Sequence, residues 1–371
     1  MKIVYIINSF HVGGAEVQLV SLVQNIRRKV DNVAVISLYP HEDLAEDLIS
    51  SGIEVHFLNM KSFRDVFRAV IEAKKIINSI QPDVIHSHMY HSNIFSRLLK
   101  LFTKVPRLVN TAHNSWEGSI FRYFLYRITS GLADFVSIIS QEGYDSHIKY
   151  KATPKNKLEK IPNGIDTDIF KPDSDIRLKK RQELGVEDEF LFVSVGWLSE
   201  QKNYENALKA IATLGNGKHF NFRHFIVGKA PGGSDNLKKL EQMTRELNIH
   251  DKVNFLGQRK DVQEIMKAAD GYVSSSAWEG MPIVLLEAAA SALPIVATDV
   301  GDCRAIVRDG VNGFLIPPKD HIKLAGAMRK LLELSPEAHF TMSENSRKHV
   351  IEKFSIGSVA NKWIDIYSSL M

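Results

Sequence analysis

The chain has 371 residues, of which 44% are hydrophobic and 24% are charged, and its formal net charge is +4. This length predicts two domains, and the small net charge excludes the strongly basic surface typical of nucleic-acid-binding proteins. No apolar run reaches the roughly 20 residues needed to span a bilayer. The single cysteine, Cys303, excludes an internal disulfide bond and is interpreted as a packing residue. We therefore expect a cytoplasmic protein with no nucleic-acid partner.

Short apolar runs alternate with longer amphipathic segments along the first half of the chain. The run Lys2–Ile7 is too short for a signal peptide and no small-residue cleavage site follows it, so we predict a buried strand. Helical patterns cover Gly14–Arg28 and Phe63–Ile80. This alternation predicts a parallel sheet covered by helices. The further strands predicted in this half are Asn32–Leu38, Val55–Leu58, Val84–His88, Leu108–Thr111 and Phe135–Ile139.

The same alternation restarts after a segment rich in turn residues. Pro162, Asn163, Gly164 and Pro172 suit a hinge between two domains. The second set of predicted strands is Phe190–Val195, Phe222–Val227, Val253–Leu256, Gly271–Ser274 and Ile295–Thr298. The helices between them are predicted at Asn203–Thr213, Leu237–Leu247 and Ile283–Ser291. We therefore predict two Rossmann-like α/β domains, at residues 1–165 and 172–355.

The most informative segment of the chain is Trp278–Glu287. It contains two carboxylates, Glu279 and Glu287, on either side of a predicted helix start at Pro282. Proline suits the first position of a helix, because its missing N–H is not needed there. A helix start binds phosphate through free backbone N–H groups and the positive end of the helix dipole. A diphosphate with a sugar-like group at each end, such as a nucleotide-sugar, fits this pattern.

Two residue types suited to phosphate binding follow the first strands of the predicted domains. Glycines follow that of the first domain, and a lysine follows that of the second. Gly13 and Gly14 allow close approach of a ligand to the backbone, although a tight turn explains them equally well. The full G-x-G-x-x-G pattern is absent, which disfavours a dehydrogenase. Lys202 lies where ligands of doubly wound sheets bind, and its charge could neutralise a leaving diphosphate. A solvated loop lysine is the ordinary alternative.

Histidines lie at the ends of two strands in the first domain. His113 ends one strand and could hydrogen-bond a sugar or a phosphate. His86 and His88 share one face of another strand, but no cysteine or well-spaced acid completes a tetrahedral zinc site with them. The pair Asp166 and Asp168 has the spacing of a divalent-ion motif but lies in the predicted linker. We predict no metal site.

Several of these segments resemble one known family. Glu279 to Glu287 resembles the E-x7-E signature of the retaining glycosyltransferases of family four, which adopt the GT-B fold. Gly13–Glu16 resembles the GGAE loop of that family. Gly196–Asn203 resembles its G-R-L-x-x-x-K-G segment, with tryptophan in place of arginine and asparagine in place of glycine. The likeness covers nearly the whole chain, including Ala297–Gly301 and Asp309–Phe314.

The resemblance implies an architecture as well as an activity. Two Rossmann-like domains would face each other across a cleft that holds the active site. The final helix, residues 356–371, would cross back onto the N-terminal acceptor domain, and residues 172–355 would form the donor domain.

The resemblance also implies roles for single residues. Glu287 would bind the donor ribose, Glu279 the hydroxyls of the donor sugar, and Lys202 the diphosphate. His113 would contact the donor sugar near the reacting carbon, so Glu279, His113 and Lys202 are the predicted catalytic residues, and His88 is a predicted acceptor contact. Further predicted donor-binding residues are Gly13, Gly14, Trp197, Gly228, Arg259, Gly280, Met281, Pro282 and Ile283.

The implied reaction is retaining transfer of a sugar from a nucleotide-diphosphate donor, UDP being favoured, to a hydroxyl acceptor. A lipid-linked saccharide in cell-envelope polysaccharide assembly is the expected acceptor, and no cofactor or obligatory metal is expected. Front-face displacement is implied, in which the leaving phosphate oxygen accepts the acceptor proton. The alternatives are a sugar phosphorylase, a nucleotide-sugar epimerase or a non-catalytic two-lobed sugar-binding protein.

Two basic amphipathic segments, Phe95–Arg107 and Ile120–Ile128, could lie on the inner membrane surface and make the protein peripheral there. The alternative, which we favour, is that their apolar faces belong to the core and only their charges are solvated.

Overall fold

The computed structural model describes residues 1–11, 13–40, 43–215, 220–230 and 235–371. The chain divides into two compact units. Unit 1 comprises Met1–Gly164 together with Ile356–Met371, and unit 2 comprises Ile165–Ser355. Each unit contains one parallel sheet with helices between its strands, which confirms the predicted pair of Rossmann-like domains.

The strands of unit 1 are β1 Lys2–Ile7, β2 Asn32–Ser37, β3 Glu54–Phe57, β4 Val84–His88, β5 Arg107–Ala112, β6 Phe135–Ile138 and β7 Leu158–Lys160. Those of unit 2 are β8 Phe190–Val195, β9 Phe222–Val227, β10 Val253–Gly257, β11 Gly271–Ser274, β12 Ile295–Thr298 and β13 Gly313–Ile316. The strands pair in the order β3-β2-β1-β4-β5-β6-β7 in unit 1 and β10-β9-β8-β11-β12-β13 in unit 2.

The helices connect these strands and cover the sheets. They are α1 Gly14–Arg27, α2 Glu46–Ser50, α3 Val66–Ile80, α4 Tyr90–Lys100, α5 Ile120–Ile128, α6 Gln141–Lys149, α7 Ser174–Glu183 and α8 Tyr204–Leu214. The remaining helices are α9 Asp235–Glu246, α10 Val262–Ala268, α11 Ile283–Ala290, α12 Cys303–Ile306, α13 His321–Leu332, α14 Pro336–Phe354 and α15 Ile356–Leu370. Short 3-10 turns occur at Asp43–Ala45, Phe63–Asp65, Ser130–Leu132 and Lys155–Lys157. No helix in these described ranges is both long and apolar enough to cross a bilayer.

The interior strands were predictable because a strand covered by helices on both faces is a continuous apolar run. β1, β4, β8, β9, β11 and β12 have the bounds expected from the sequence. β7 and β13 were not predicted. Both lie at the edge of their sheet and are short, and β7 contains the polar residues Glu159 and Lys160.

The final helix α15 packs on unit 1, as the family resemblance implied. Val359, Trp363 and Tyr367 are buried in the same apolar cluster as residues of β1 and α1. These side chains recur at helical spacing, so one face of α15 becomes part of the core of unit 1.

Candidate functional site

An ion pair lies at the centre of the candidate site in unit 2. The Lys202 ammonium, in the loop after β8, is 2.7 Å from Oε1 of Glu279, in the loop after β11. Both side chains are largely buried, with exposed fractions of 17% and 7%. Because a buried charge is stable only when it is paired, these two predicted site residues hold each other in place.

Two further side chains orient the Glu279 carboxylate. The Ser276 hydroxyl donates to Oε1 at 2.7 Å, and the Gln201 amide donates to Oε2 at 3.2 Å. The backbone links the same loops, since the N–H of Ala277 donates to the carbonyl of Gln201 at 2.7 Å. Glu279 is therefore fixed by groups from both loops. Sequence inspection missed Ser276 and Gln201, although each lies within three residues of a predicted site residue.

Glycine is required where the loops after β8 and β9 approach each other. Gly196 and Gly228 have φ angles of +151° and +152°, which side chains of L-amino acids rarely adopt. A Cβ at Gly228 would lie 1.9 Å from the carbonyl oxygen of Gly196, and a Cβ at Gly196 would lie 2.7 Å from Cε of Lys202. The predicted residue Gly228 therefore acts by allowing the backbone contact beneath Lys202.

The helix start that was predicted beside Glu279 is present, and α11 begins at Ile283, as the predicted segment did. Pro282 has an extended conformation and is the N-cap, not the first helical residue. The side chains of Met281 and Ile283 are buried, which leaves the backbone of Gly280–Ile283 as the part that can meet a phosphate. The predicted phosphate contacts at this helix start would therefore come from backbone N–H groups and not from side chains.

Glu287 lies on α11 and is only partly exposed. Burial raises the pKa of its carboxyl group to about 7, although the positive charge of Lys202 opposes this shift. Near neutral pH the carboxyl group therefore exists in both protonation states and can donate or accept a hydrogen bond. Such a group suits a hydroxyl-rich ligand such as a ribose.

Trp197 stands where the family usually has an arginine, and the structure places a cation beside it. Its ring is 44% exposed, and the Lys229 ammonium lies 5.3 Å from the ring centre. Lys229 also accepts a backbone hydrogen bond from Leu198 through its carbonyl oxygen. Lys229 was not predicted, although its position directly after Gly228 at the end of β9 could have identified it.

Arg259 was predicted to bind the donor, but the structure pairs it with acidic side chains of unit 2. Its guanidinium donates to both carboxylate oxygens of Asp261, at 2.7 and 2.6 Å, and to Glu183 at 2.7 Å. Lys180 joins the same network by contacting Asp261 at 2.7 Å. In the described residues none of these Arg259 contacts involves Lys202, Glu279 or Glu287, so the structure does not bring Arg259 together with them.

In unit 1 the two predicted histidines contact each other. Nδ1 of His88, at the end of β4, lies 3.0 Å from Nε2 of His113, just after β5. His88 is 2% exposed, and its ring is tilted by 37° from that of His86 with centroids 4.2 Å apart. His113 is partly exposed, although its Nδ1 is buried. Burial lowers the pKa of His113 to about 4 and that of His88 well below its usual range. Both rings are therefore neutral at physiological pH, and His88 lies behind His113 and is not itself at the surface.

A buried hydrogen-bond network holds His86 beneath this pair. Nδ1 of His86 lies 2.6 Å from the Tyr367 hydroxyl, and Nε2 lies 2.7 Å from Oγ1 of Thr111. The Tyr367 hydroxyl also contacts that of Tyr5 at 3.0 Å. Because Tyr367 belongs to α15, the final helix supports the histidines of β4. His86 and Tyr367 are 281 positions apart, so no local sequence pattern could have predicted their contact.

The predicted glycine turn of unit 1 is the start of α1. Gly13 is its N-cap and Gly14 its first residue. A Cβ at Gly13 would lie 2.6 Å from Oε2 of Glu16, so a side chain there would require the Glu16 carboxylate to move. Directly after β1, Oδ1 of Asn8 accepts hydrogen bonds from the backbone N–H and the hydroxyl of Ser92.

The two amphipathic segments are each buried only in part. Phe95 and Leu99 of the first segment are buried, as expected for a core-facing helix, whereas Leu101 and Phe102, just after α4, are 60% and 51% exposed. For α5 the expectation of a buried apolar face is wrong in part. Four of its apolar residues are 51–65% exposed: Ile120, Phe121, Phe124 and Ile128.

Within the described ranges, no group of three histidine, cysteine, aspartate or glutamate side chains is arranged to hold a metal ion. His86 uses both ring nitrogens in contacts with Tyr367 and Thr111, which leaves neither free for a metal.

Two family models match the chain, one over each unit. The model for Glycosyltransferase Family 4 matches residues 12–169, and that for Glycosyl transferases group 1 matches residues 175–349. Together they cover most of the chain, including the predicted site residues of each unit.

Individual relatives agree with this assignment. The chain is 26% identical to the Escherichia coli UDP-Gal:alpha-D-GlcNAc-diphosphoundecaprenol alpha-1,3-galactosyltransferase, over 96% of this chain and 97% of that protein. It is 29% identical to the D-inositol 3-phosphate glycosyltransferase of Corynebacterium aurimucosum, over 78% of this chain and 72% of that protein. The crystal structure of Anabaena HepE in complex with UDP has the same fold, with a TM-score of 0.88, 24% identity and full coverage of both chains. The chain therefore belongs to the group 1, family-four glycosyltransferases, and it has their GT-B fold.

Proposed function

We propose that this glycosyltransferase uses a UDP-sugar and transfers the sugar, with retention, to a hydroxyl of a lipid-linked saccharide. The observation that supports binding of the donor is the buried Lys202–Glu279 ion pair beside the start of α11. An arriving diphosphate would take Glu279's place as the partner of Lys202, which frees the carboxylate for sugar hydroxyls. In such an exchange Lys202 keeps an anionic partner, and the Glu279 carboxylate keeps hydrogen-bond donors.

The remaining groups of unit 2 complete a nucleotide-sugar site. The backbone at Gly280–Ile283 and the ammonium of Lys229 add positive potential for the diphosphate. Glu287, with its pKa of about 7, would bind the ribose hydroxyls. UDP is proposed because HepE was crystallised with UDP and with UDP-glucose, and because the name of the Escherichia coli relative specifies UDP-Gal.

Donor binding is tested by thermal unfolding with UDP, GDP or ADP and no added metal. A ligand that binds only the native state raises the melting temperature. We expect UDP to do so for the wild type, and the increase to be lost in Glu287→Ala and kept in Glu352→Ala, which removes an exposed carboxylate of unit 2. Absence of an increase with any nucleotide would remove the basis for this donor site.

The proposed chemistry is a front-face displacement. The bond between the anomeric carbon and the diphosphate breaks, the acceptor hydroxyl oxygen bonds to that carbon from the same face, and the leaving phosphate oxygen takes the hydroxyl proton. Lys202 would stabilise the charge that develops on the leaving group. Retention is tested by NMR assignment of the anomeric configuration in the product. An inverted product would exclude this mechanism.

The outer face of α5 supports a membrane-associated acceptor. Phe121 and Phe124 are more than half exposed, and Arg127, near the end of the helix, lines a surface pocket together with Lys151 and Lys155. Apolar side chains beside cations suit the interface of an anionic membrane. The acceptor in the name of the Escherichia coli relative is carried on diphosphoundecaprenol, which is a membrane lipid group.

Membrane association is tested by co-sedimentation with vesicles of phosphatidylglycerol or of phosphatidylcholine. We expect binding to the anionic vesicles, weakened roughly tenfold or more in the double variant Phe121→Ser and Phe124→Ser. The matched control is Phe67→Ser, which removes an aromatic residue of α3 that is 83% exposed. Equal binding by both variants would refute the role of α5.

A further inference from the structure

Three cationic side chains of unit 1 line one surface pocket without an anionic partner. Arg127, near the end of α5, and Lys151 and Lys155, between α6 and β7, line a pocket of about 520 Å³, which we call the basic pocket. No aspartate or glutamate lines it, and in the described part of the chain none of the three side chains forms a hydrogen bond or an ion pair. All three residues are exposed, so their charges are accessible from solvent.

Several other cations of the molecule, by contrast, have partners within the chain. Arg177 and Arg181 also line a surface pocket, but both guanidinium groups contact the Asp270 carboxylate, at 2.5 and 3.0 Å. Close in sequence to the basic pocket, Lys157 donates to the carbonyl of Ala133 at 2.7 Å. Because like charges repel each other when no anion lies between them, three unpaired cations around one pocket favour the binding of an anion.

The basic pocket and the candidate sugar contact of unit 1 lie at opposite edges of the sheet. Ser130 and Lys155, which line the pocket, precede β6 and β7, whereas His113 follows β5. These strands are parallel, so the amino ends of β6 and β7 lie at the edge opposite to the carboxyl end of β5. The helix α5 connects the two edges, and its nine residues give it a length of roughly 13 Å. An anion in the basic pocket is therefore separate from a sugar that contacts His113.

Exposed apolar side chains beside the pocket indicate the source of the anion. Ile148 lines the pocket and is exposed, and so is Ile128, which follows Arg127 on α5. Phe121 and Phe124 extend this apolar surface along the same helix. A free phosphate ion would leave the apolar surface in water, whereas a phospholipid brings a phosphate group and acyl chains together. The combination therefore favours a phospholipid over a free ion.

We propose that the basic pocket binds the phosphate group of an anionic phospholipid that takes no part in the reaction, while the exposed residues of α5 contact its acyl region. Arg127 suits this role because a guanidinium group forms two parallel hydrogen bonds with a phosphate. The proposal rests on the proposed membrane association for the source of the phosphate. It adds a discrete lipid site that is distinct from the acceptor site and from diffuse attraction between charges.

The first test is NMR of the full chain with 13C-labelled isoleucine methyl groups, in which the Ile148→Val spectrum assigns the Ile148 signal. The probes are monomeric dihexanoylphosphatidylglycerol, monomeric dihexanoylphosphatidylcholine and inorganic phosphate. We expect the phosphatidylglycerol to shift the Ile148 signal and to bind roughly tenfold or more tightly than either other probe, because choline adds a cation and phosphate lacks acyl chains. Equal affinity for inorganic phosphate would overturn the assignment to a lipid, and no shift with any probe would overturn the site.

Vesicle binding separates a discrete site from diffuse attraction. The double variant Lys151→Gln and Lys155→Gln removes two charges from the basic pocket, and the control Lys74→Gln and Lys75→Gln removes two exposed charges from α3 of the same unit. We expect binding to phosphatidylglycerol vesicles to weaken roughly tenfold or more in the first double variant and less than about threefold in the control. Equal weakening in both would indicate diffuse attraction and overturn the proposal. Thermal unfolding of both double variants checks that the fold is kept.

The outcomes distinguish this inference from the proposed function. If the double lysine variant of the pocket weakens vesicle binding and the double variant Phe121→Ser and Phe124→Ser does not, the pocket is supported and the proposed role of α5 fails. If only the phenylalanine variant weakens binding, membrane association is supported and the pocket is overturned. Lipid binding by the pocket without sugar transfer to a lipid-linked acceptor would contradict the proposed acceptor and still support the pocket.

Discussion

The two units present polar groups of different character at the carboxyl ends of their strands. In unit 2 the central groups, Lys202 and Glu279, are charged and paired at 2.7 Å. In unit 1 the central groups, His88 and His113, are kept neutral by burial. A paired lysine can exchange its carboxylate for a diphosphate, whereas neutral imidazoles suit uncharged hydroxyls. This difference is in line with the proposal that unit 2 binds the charged part of the donor and unit 1 binds sugar.

Each unit also contains a carboxyl group whose pKa is raised by burial to about 7, Glu287 in unit 2 and Glu117 in unit 1. In both cases a nearby cation opposes the shift, Lys202 for Glu287 and Arg122 for Glu117. Glu117 also lies near the aromatic cluster of Tyr123 and Tyr126. Burial therefore outweighs a neighbouring positive charge in both units.

The largest expected effect is that of Lys202→Ala. Its removal takes away the cation proposed for the leaving diphosphate and leaves Glu279 as a buried charge without this partner. We expect kcat/KM to fall about 100-fold to 1,000-fold. Steady-state kinetics measure this, with Lys209→Ala, an exposed lysine of α8, as the control. A loss below tenfold would mean that unit 2 does not depend on this cation.

The paired variants Glu287→Gln and Glu117→Gln test the two raised pKa values. A carboxyl group with a folded pKa of about 7 and a reference value of 4.5 stabilises the fold below pH 4.5, and this contribution is lost as pH rises through about 7. Glutamine does not ionise, so each variant should gain on the order of 2 kcal/mol relative to wild type across that window.

Denaturant unfolding at a series of pH values measures this gain, and UDP binding separates the two sites. Only Glu287→Gln should weaken UDP binding. A pH-independent difference from wild type in both variants would show that neither pKa is raised.

A smaller effect is expected for Tyr367→Phe in unit 1. The change removes the hydroxyl that contacts His86 at 2.6 Å and Tyr5 at 3.0 Å, and leaves those two buried groups without it. We expect a loss of about 1–2 kcal/mol in the free energy of unfolding. UDP should still raise the melting temperature, because the donor diphosphate is assigned to unit 2. Loss of the UDP effect would contradict the division of roles between the units.

The smallest effect is expected for Arg259→Ala. Arg259 is engaged by Asp261 and Glu183 in a network that is partly exposed, so its removal should cost about 1 kcal/mol or less of stability. Isothermal titration calorimetry should show that Arg259→Ala loses less affinity for UDP than Lys229→Ala does. The reverse order would restore the donor-binding role that the family resemblance gave to Arg259.

The sequence by itself determined the sheet organisation and part of the site. Buried parallel strands such as β1 and β8 are apolar throughout and need no tertiary information to be recognised. Lys202 and Glu279 could be selected because they follow interior strands, and the ends of parallel strands meet at one edge of the sheet. The edge strand β7 was missed because it has only three residues and lacks an apolar run.

Only the tertiary structure decided which side chains meet. The contact between His86 and Tyr367 joins residues 281 positions apart, and the exposure of Phe121 and Phe124 beside buried Tyr123 depends on how α5 lies on unit 1. Local patterns set the period of a helix or strand, but contacts between distant segments depend on how the elements pack. The contact of His88 with His113 and the contact of Arg259 with Glu183 are therefore consequences of packing, because in each case the partner lies elsewhere in the chain.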